Sequence, residues 1–486
     1  MKSTPDAPSP RLTSRQLVCL FGLALVPRML LLGFGPWQQP DRAIHADSQR
    51  YLLLAENLRE HHTFGLRGPG GLMHQSVVRL RAANGTLPPA DANGLRPESF
   101  RTPGYPAFIA LVESLGGDIR AVLIIQCLLG AATASLAAFV GQSLGLSARG
   151  AIVVGIIWAL HPALIVFDCA ILTESLFNAA VVFGSFQACR ARSSWGLFLA
   201  GVILGIASLV RPLGFLYIPA AIALAWPQVQ SKIVGIAFLV LGCGLPLSAW
   251  AARNQAVDEG FRLTTVGDLN LLYYTAAYAI SEDRREDWLQ SWPVRVEGLT
   301  NLLRRRLQPG EDVISAARRL AWREIQVRPK NVAKVQAKSW IKLFLDHSLD
   351  TAAATLGLPY QPSGLFSSFL LGHDPTPPRQ QGNHGGPMGE KGSSWATRLG
   401  AFVWMLLNIL IALAAVGGAN RAMHQRQWRI LIFGALSILL FTLATGSVGL
   451  ERFRMPMMLP LFILAAHAIS ALQPKLTTKK PDNHPI

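Results

Sequence analysis

The 486-residue sequence predicts an all-α polytopic membrane protein with about ten transmembrane helices (ten to twelve) and amphipathic juxtamembrane helices in two large outer loops. Three observations predict this. Hydrophobic residues make up 51% of the chain and the mean hydropathy is +0.32. Charged residues are scarce at 15%, against roughly 25% in average soluble domains. Apolar stretches near the length that crosses a bilayer, about 20 residues, recur along the chain. The charge is one-sided, with 45 Lys plus Arg against 28 Asp plus Glu and a net charge of +17. Such a surplus also fits nucleic acid, but nucleic-acid binders are rich in charge of both signs, so no nucleic-acid partner is expected.

The apolar stretches run at 16–35, 120–142, 149–167, 170–189, 195–210, 212–227, 231–252, 397–418, 428–447 and 455–473. The first continues through Arg28 to Gly35 without a small-residue cleavage site and reads as an uncleaved anchor. Basic residues cluster near Lys2, Arg11 and Arg15, at Arg149, Arg190, Arg192 and Lys232, within 421–429, and at Lys475, Lys479 and Lys480. By the positive-inside rule these loops and both tails are cytoplasmic. The order expected is a tail at 1–15, a membrane domain at 16–252 with a first outer loop at 36–119, a large outer loop at 253–396, a membrane part at 397–473 and a tail at 474–486. The apolar segment 105–116 is short for a span and reads as interfacial. Amphipathic patterns at 312–327 and 331–346 read as helices, and the Gly- and Pro-rich segment 359–394 reads as a flexible loop or lid. The five cysteines, Cys19, Cys127, Cys169, Cys189 and Cys243, all lie in apolar runs and read as buried, inert thiols.

Several polar residues stand out in this apolar background. Tyr51, Leu54, Ala55 and Leu58 form one helical stripe, for which Asp47 or Ser48 is the natural N-cap. A carboxylate at this place, close to arginines, also suits a general base. The prolines of Arg101-Thr102-Pro103-Gly104-Tyr105-Pro106 exclude a regular helix start before Pro106 and present Arg101 at the membrane entry. Glu174 lies in an apolar stretch, where a carboxylate is costly and marks a functional site by default. Arg211, Arg452 and Arg454 fall on the outer side, against the positive-inside rule. Their planar forks suit a lipid phosphate. Asp41, His45 and Asp47 make a D-x3-H-x-D cluster of the kind that suits Mg²⁺ or Mn²⁺, but the spacing matches no known cage and no metal or other cofactor is assigned.

The ordered set Ala46-Asp47-Ser48 with Tyr51, Ala55 and Asn57-Leu58, then Arg101-Thr102-Pro103-Gly104-Tyr105-Pro106, Leu172-Thr173-Glu174, Arg211-Pro212 and Arg452-Phe453-Arg454-Met455-Pro456 resembles the GT-C class of integral-membrane glycosyltransferases. It is most similar to bacterial relatives of dolichyl-phosphate-mannose protein mannosyltransferases and aminoarabinose transferases. Ala321-Trp322-Arg323-Glu324-Ile325 with Pro329-Lys330 resembles an outer-loop element of that branch. The resemblance implies an inverting transfer of a sugar from a polyprenyl-phosphate carrier to an acceptor glycan, lipid or protein, at the periplasmic face of a bacterial inner membrane. It implies Asp47 and Glu174 as catalytic groups, Arg101, Arg211, Arg452 and Arg454 on the lipid phosphate, and Tyr51 and Tyr105 on the sugar or acceptor side. The alternative from another class is a transporter or flippase of a polyprenyl-linked lipid or phospholipid. The segment 66–99 separates the Asp47 helix from Arg101 by more than the compact pattern of the family, and with the 359–394 loop it leaves the acceptor unspecified; the sugar is unspecified because a sequence shows no pocket lining.

Overall fold

The computed structural model describes residues 11–45, 47–226, 231–286, 288–358 and 395–472. Among them the architecture is all-α and polytopic, and strand is confined to an antiparallel pair of two-residue strands. The first helix, α1 (Ser14–Phe34), begins at a capping box in which the Thr13 and Gln16 side chains each accept the other residue's backbone N–H. It buries Leu20, Ala24, Arg28 and Leu32 and turns Val18, Val26, Leu30 and Phe34 outward. Leaving such side chains in water forgoes roughly 1.5–3 kcal/mol each, so a lipid surround is their natural solvent. Cys19 shares that outward surface. It is exposed, unlike the other four cysteines and contrary to expectation, because an apolar run that faces lipid need not be buried in protein.

A 3-10 turn (Pro40–Ala43) leads into α2 (Ser48–His61), strand β1 (Gly65–Leu66), α3 (Leu72–Ala83), strand β2 (Arg96–Pro97) and α4 (Gly104–Ser114). The last of these has 11 residues, the short helix expected there. It starts at Gly104, earlier than the two prolines implied. Pro106 falls in the first turn, where backbone N–H groups have no partner within the helix, so its ring sacrifices no hydrogen bond.

Among the described residues each expected apolar stretch is largely helical. Among the described residues five helices are long and apolar enough to cross a membrane: α1, α5 (Ile119–Ser143), α11 (Lys232–Ala256), Leu399–His424 and Glu451–Ala471. The pair α6 (Ala148–Leu160) and α7 (Pro162–Asp168) makes a sixth if its 52° bend is one broken span. Pro162 accounts for the break, because its ring clashes with the preceding turn and it lacks an N–H. The other stretches form shorter elements: α8 (Glu174–Arg190), α9 (Ser194–Val210), a 3-10 turn (Pro212–Tyr217) continuing into α10 (Ile218–Ala225), and Trp428–Ala444.

Two cores result. One runs through the apolar bundle and includes Ala24, Cys127, Val154, Phe177, Leu204 and Phe462. The second lies between α3 and the 253–358 region, which comprises α12 (Val266–Asn270), a π-helical turn (Leu271–Ala276), α13 (Ala277–Asp283), α14 (Trp288–Arg306), α15 (Val313–Val327), α16 (Pro329–Leu345) and α17 (Leu349–Leu356). Met73, Val77 and Leu80 of α3 meet Tyr273, Ile314 and Leu320 there. α15 and α16 are the two amphipathic helices expected at 312–327 and 331–346. Asp312 caps α15 by accepting the N–H groups of Ile314 and Ser315. The segment 359–394, the tail 474–486 and residues 1–10 lie outside the described residues.

Helices α9 and α11 approach through glycines. A Cβ on Gly201 would lie 2.1 Å from the Leu239 carbonyl oxygen, and one on Gly242 the same distance from that of Phe198. Small residues are what allow such close backbone contact between apolar helices. We expect Gly201→Val to force the pair apart and destabilise the fold by about 1–3 kcal/mol. A lowered thermal unfolding midpoint in detergent checks this.

Candidate functional site

The sequence places Asp47 at the N-cap of α2, yet its side chain makes no capping bond. It is bonded to two arginines instead. Arg101 Nη2 donates to Asp47 Oδ1 at 2.5 Å, and Arg452 Nη1 donates to Oδ2 at 2.7 Å. Arg452 Nε donates to Glu174 Oε1 at 2.9 Å, and Arg211 Nη1 stands 2.9 Å from the same oxygen. Five residues from five separate segments thus form one alternating chain: Arg101, Asp47, Arg452, Glu174, Arg211.

Local structure explains why these segments meet. The Ser48 hydroxyl donates to the Ile171 carbonyl at 2.7 Å and the Ile171 N–H donates to Ala43, which fastens the Asp47 loop to the turn before Glu174. Gly104 lies so close to α9 that a Cβ there would stand 2.7 Å from the Leu209 carbonyl oxygen. The Thr102 hydroxyl donates to the Val210 carbonyl across the same contact. Arg101 and Arg211 are therefore brought together by backbone approach. On Arg101, Nη1 donates to the Tyr51 hydroxyl at 3.3 Å, and its guanidinium lies over the Tyr51 and Phe100 rings. The Arg211 guanidinium rests against Phe177 and Phe453.

Exposure is graded across the chain of ion pairs. The Glu174 side chain is fully buried at 0%, while those of Asp47, Arg452 and Arg101 are 26%, 22% and 21% exposed. One face is therefore open to a ligand and the other anchored. Burial alone would raise the Asp47 pKa. The Arg101 and Arg452 guanidiniums outweigh it and hold the carboxyl well below the usual carboxylate range. Three guanidiniums face two carboxylates, which leaves a surplus positive charge for an anion.

Tyr51 and Tyr105 meet edge to face with ring centroids 5.2 Å apart. Only Tyr51 touches the chain of charges, through Arg101; Tyr105 points its hydroxyl to Gln126 Oε1 at 2.7 Å. Arg454 is not part of the group. It is buried, pairs with Glu451, and donates Nη1 to the carbonyls of Leu343 and Phe344 at 3.0 and 2.9 Å. Those carbonyls are in the last turn of α16, where cations satisfy orphan acceptors. Glu451 also accepts the Trp404 indole N–H at 3.0 Å. Residues two apart on a helix point to different faces, so the spacing of Arg452 and Arg454 already implies that they diverge.

Residues missed in the sequence surround the group. Glu98 Oε1 accepts the Phe100 N–H at 2.6 Å and Oε2 accepts both Arg50 Nε and Nη2, at 3.1 and 2.5 Å. Gln126 Nε2 donates to the Asp168 and Ala170 carbonyls. Among the described residues no three or more His, Cys, Asp or Glu side chains are grouped to hold a metal ion, and the Asp47 carboxylate is bonded to Arg101 and Arg452.

No family model matches the sequence, and no curated protein matches it. Among solved structures the fold is similar to the apo form of the oligosaccharyltransferase of Archaeoglobus fulgidus, with a TM-score of 0.45 and 10% identity over 94% of this chain and 51% of that one. The chain thus spans about half the length of that protein, and at such identity no residue's role passes from one to the other.

Two outcomes follow. A depressed carboxyl contributes stability above its unfolded pKa, about 3.9, and loses it as pH falls through the folded value. The stability gap between the parent and Asp47→Asn is therefore level from about pH 5 to 8 and closes below about pH 4, as thermal unfolding at each pH checks. Arg454→Met leaves Glu451 buried without its cation and costs about 3–5 kcal/mol, read in the same assay.

Proposed function

We propose that the protein is an inverting glycosyltransferase that moves a sugar from a polyprenyl-phosphate carrier to an acceptor at the outer face of a bacterial inner membrane. The observation that carries this reading is the Asp47 carboxylate held between two guanidiniums at a partly open surface, with Arg211 joined through Glu174. A proton acceptor beside an excess of phosphate-matching cations is what transfer from a sugar phosphate needs. The resemblance in the sequence supports the same chemistry, and the outward-facing apolar helix surfaces fit a lipid-borne donor.

In this reading the donor phosphate lies against Arg452 and Arg211, with Arg101 as a third cation. Glu174, buried and shared by two of these arginines, positions their forks. Drawing Arg452 toward phosphate leaves Asp47 with fewer cationic partners, and its pKa rises toward that of a working base. The acceptor hydroxyl or amine attacks the anomeric carbon from the face opposite the phosphate. Its proton passes to Asp47, a bond forms from acceptor to carbon, and the bond from carbon to phosphate oxygen breaks. The electron pair leaves with the polyprenyl phosphate, whose added charge the arginines stabilise. No cofactor is called for. Tyr51 borders the base through Arg101, and Tyr105 stands behind it on the sugar or acceptor side.

The test uses the purified protein with a radiolabelled polyprenyl-phosphate sugar and membrane extract as the acceptor source. Asp47→Asn lowers the transfer rate by about 10²–10⁴-fold, and Arg211→Gln lowers it by about 10²–10³-fold. Transfer by Asp47→Asn at the parent rate would refute the base role. A parent that moves the labelled lipid between vesicle leaflets and transfers no sugar would identify the flippase alternative.

A further inference from the structure

The segment 66–99, which the family pattern does not account for, builds a cavity beside the Asp47 group. The cavity has a volume of about 110 Å³, and its lining includes Arg50, Arg67, Arg81, Arg96, Glu98 and Glu259. Two of the four arginines are neutralised: Arg50 by Glu98 and Arg81, through two bonds of 2.7 and 2.9 Å, by Glu259. The other two are not. Arg96 donates Nη1 to the Pro88 carbonyl, and among the described residues neither Arg96 nor Arg67 has a carboxylate partner. Pairing of the short strands β1 and β2 sets Leu66 opposite Arg96, so Arg67 follows directly on the strand beside it. The strands come so close that a Cβ on Gly65 would lie 2.5 Å from the Arg96 carbonyl oxygen.

The wall also carries an unsatisfied polar atom. His74 lines the cavity, and its Nε2 is buried without a hydrogen-bond partner. Burial first, and then Arg50, push its pKa down to about 3, so the ring is neutral. It therefore adds hydrogen-bonding capacity without charge. Two guanidiniums with no carboxylate and an imidazole with a free nitrogen on one cavity wall match an oxyanion, which accepts hydrogen bonds and carries negative charge.

We infer that this cavity is a second anion site, distinct from the Asp47 group, that binds the phosphate or carboxylate oxyanion of a ligand through Arg67 and Arg96. The wall is shared with the reaction centre: Phe100 lines the cavity, touches His74 at a centroid distance of 4.1 Å and lies under the Arg101 guanidinium. That placement assigns the cavity to an acceptor bearing the oxyanion. The assignment to the acceptor rests on the glycosyl-transfer reading, whereas the binding does not.

The experiment titrates inorganic phosphate, and acetate as the carboxylate probe, into the full chain by calorimetry, with no sugar donor present. The parent binds at least one of the two probes saturably. Arg67→Gln with Arg96→Gln weakens that binding at least tenfold, and the exposed Arg67→Gln alone weakens it several-fold with no change in the unfolding midpoint. Titration in nanodiscs of phosphatidylcholine with and without phosphatidylglycerol separates the sources. Competition by phosphatidylglycerol supports a lipid-borne oxyanion, and its absence supports a soluble one. A parent that binds neither probe overturns the inference. So does binding that survives in the double variant and is lost in Arg211→Gln, which would place the anion at the Asp47 group. Sugar transfer can fail while oxyanion binding stands, and the reverse, so the two readings fall separately.

Discussion

The Asp47 carboxylate is shared by Arg101 and Arg452, and Arg452 in turn shares Glu174 with Arg211. Each of these groups is costly to withdraw from water alone. An unpaired buried charge is penalised by several kcal/mol, and removing one partner strands the next. The chain of pairs therefore ties its five segments to one arrangement. Glu174 has no exposed surface and takes its charge partners from Arg452 and Arg211, with the Thr173 hydroxyl donating to its second oxygen at 3.3 Å. Asp47, at the open end, keeps contact with solvent and is the carboxylate a ligand can reach.

The rest of the fold reads as support for that arrangement. The Ser48–Ile171 bond and the Gly104–Leu209 contact hold two loops against helix ends. Arg454 and Glu451 close the end of α16 and so fix the short helix that carries Arg452. Deeper in the bundle, Arg28 Nε donates to Asp168 Oδ2 at 2.7 Å, a buried pair just before the turn that leads to Glu174. Gly130 makes room for it, since a Cβ there would lie 1.9 Å from Asp168 Oδ2. The region 66–99 belongs to the same support, because α3 packs into the second core and the strands beside it shape the cavity of Arg67 and Arg96.

Much of this was legible in the sequence. Hydropathy marked the apolar helices, period 3.6 marked α2, α15 and α16, and the cost of charge in an apolar chain drew notice to Asp47, Glu174, Arg101, Arg211 and Arg452. Length is less informative: several apolar stretches form helices of 17 residues or fewer, and Pro162 bends another. Side-chain direction is not legible from spacing alone. Asp47 has the cap position without the cap bond, Arg454 points to a helix end, and Cys19 faces outward.

What the sequence determined by itself is composition-level and periodic: an all-α polytopic chain, the places where polar groups interrupt it, and the residue types suited to phosphate and proton transfer. These follow from local rules, since hydropathy and helical spacing act over a few turns. Only the tertiary structure decided which charges meet. Residues 47, 101, 174, 211 and 452 are far apart along the chain, and their pairing depends on how helices cross, where glycine allows backbones to touch, and which cation finds which carboxylate. The same holds for Arg50 with Glu98 and for Arg67 beside Arg96. Electrostatic partnership is a property of distance in space, and the spacing of charges along a chain does not contain it.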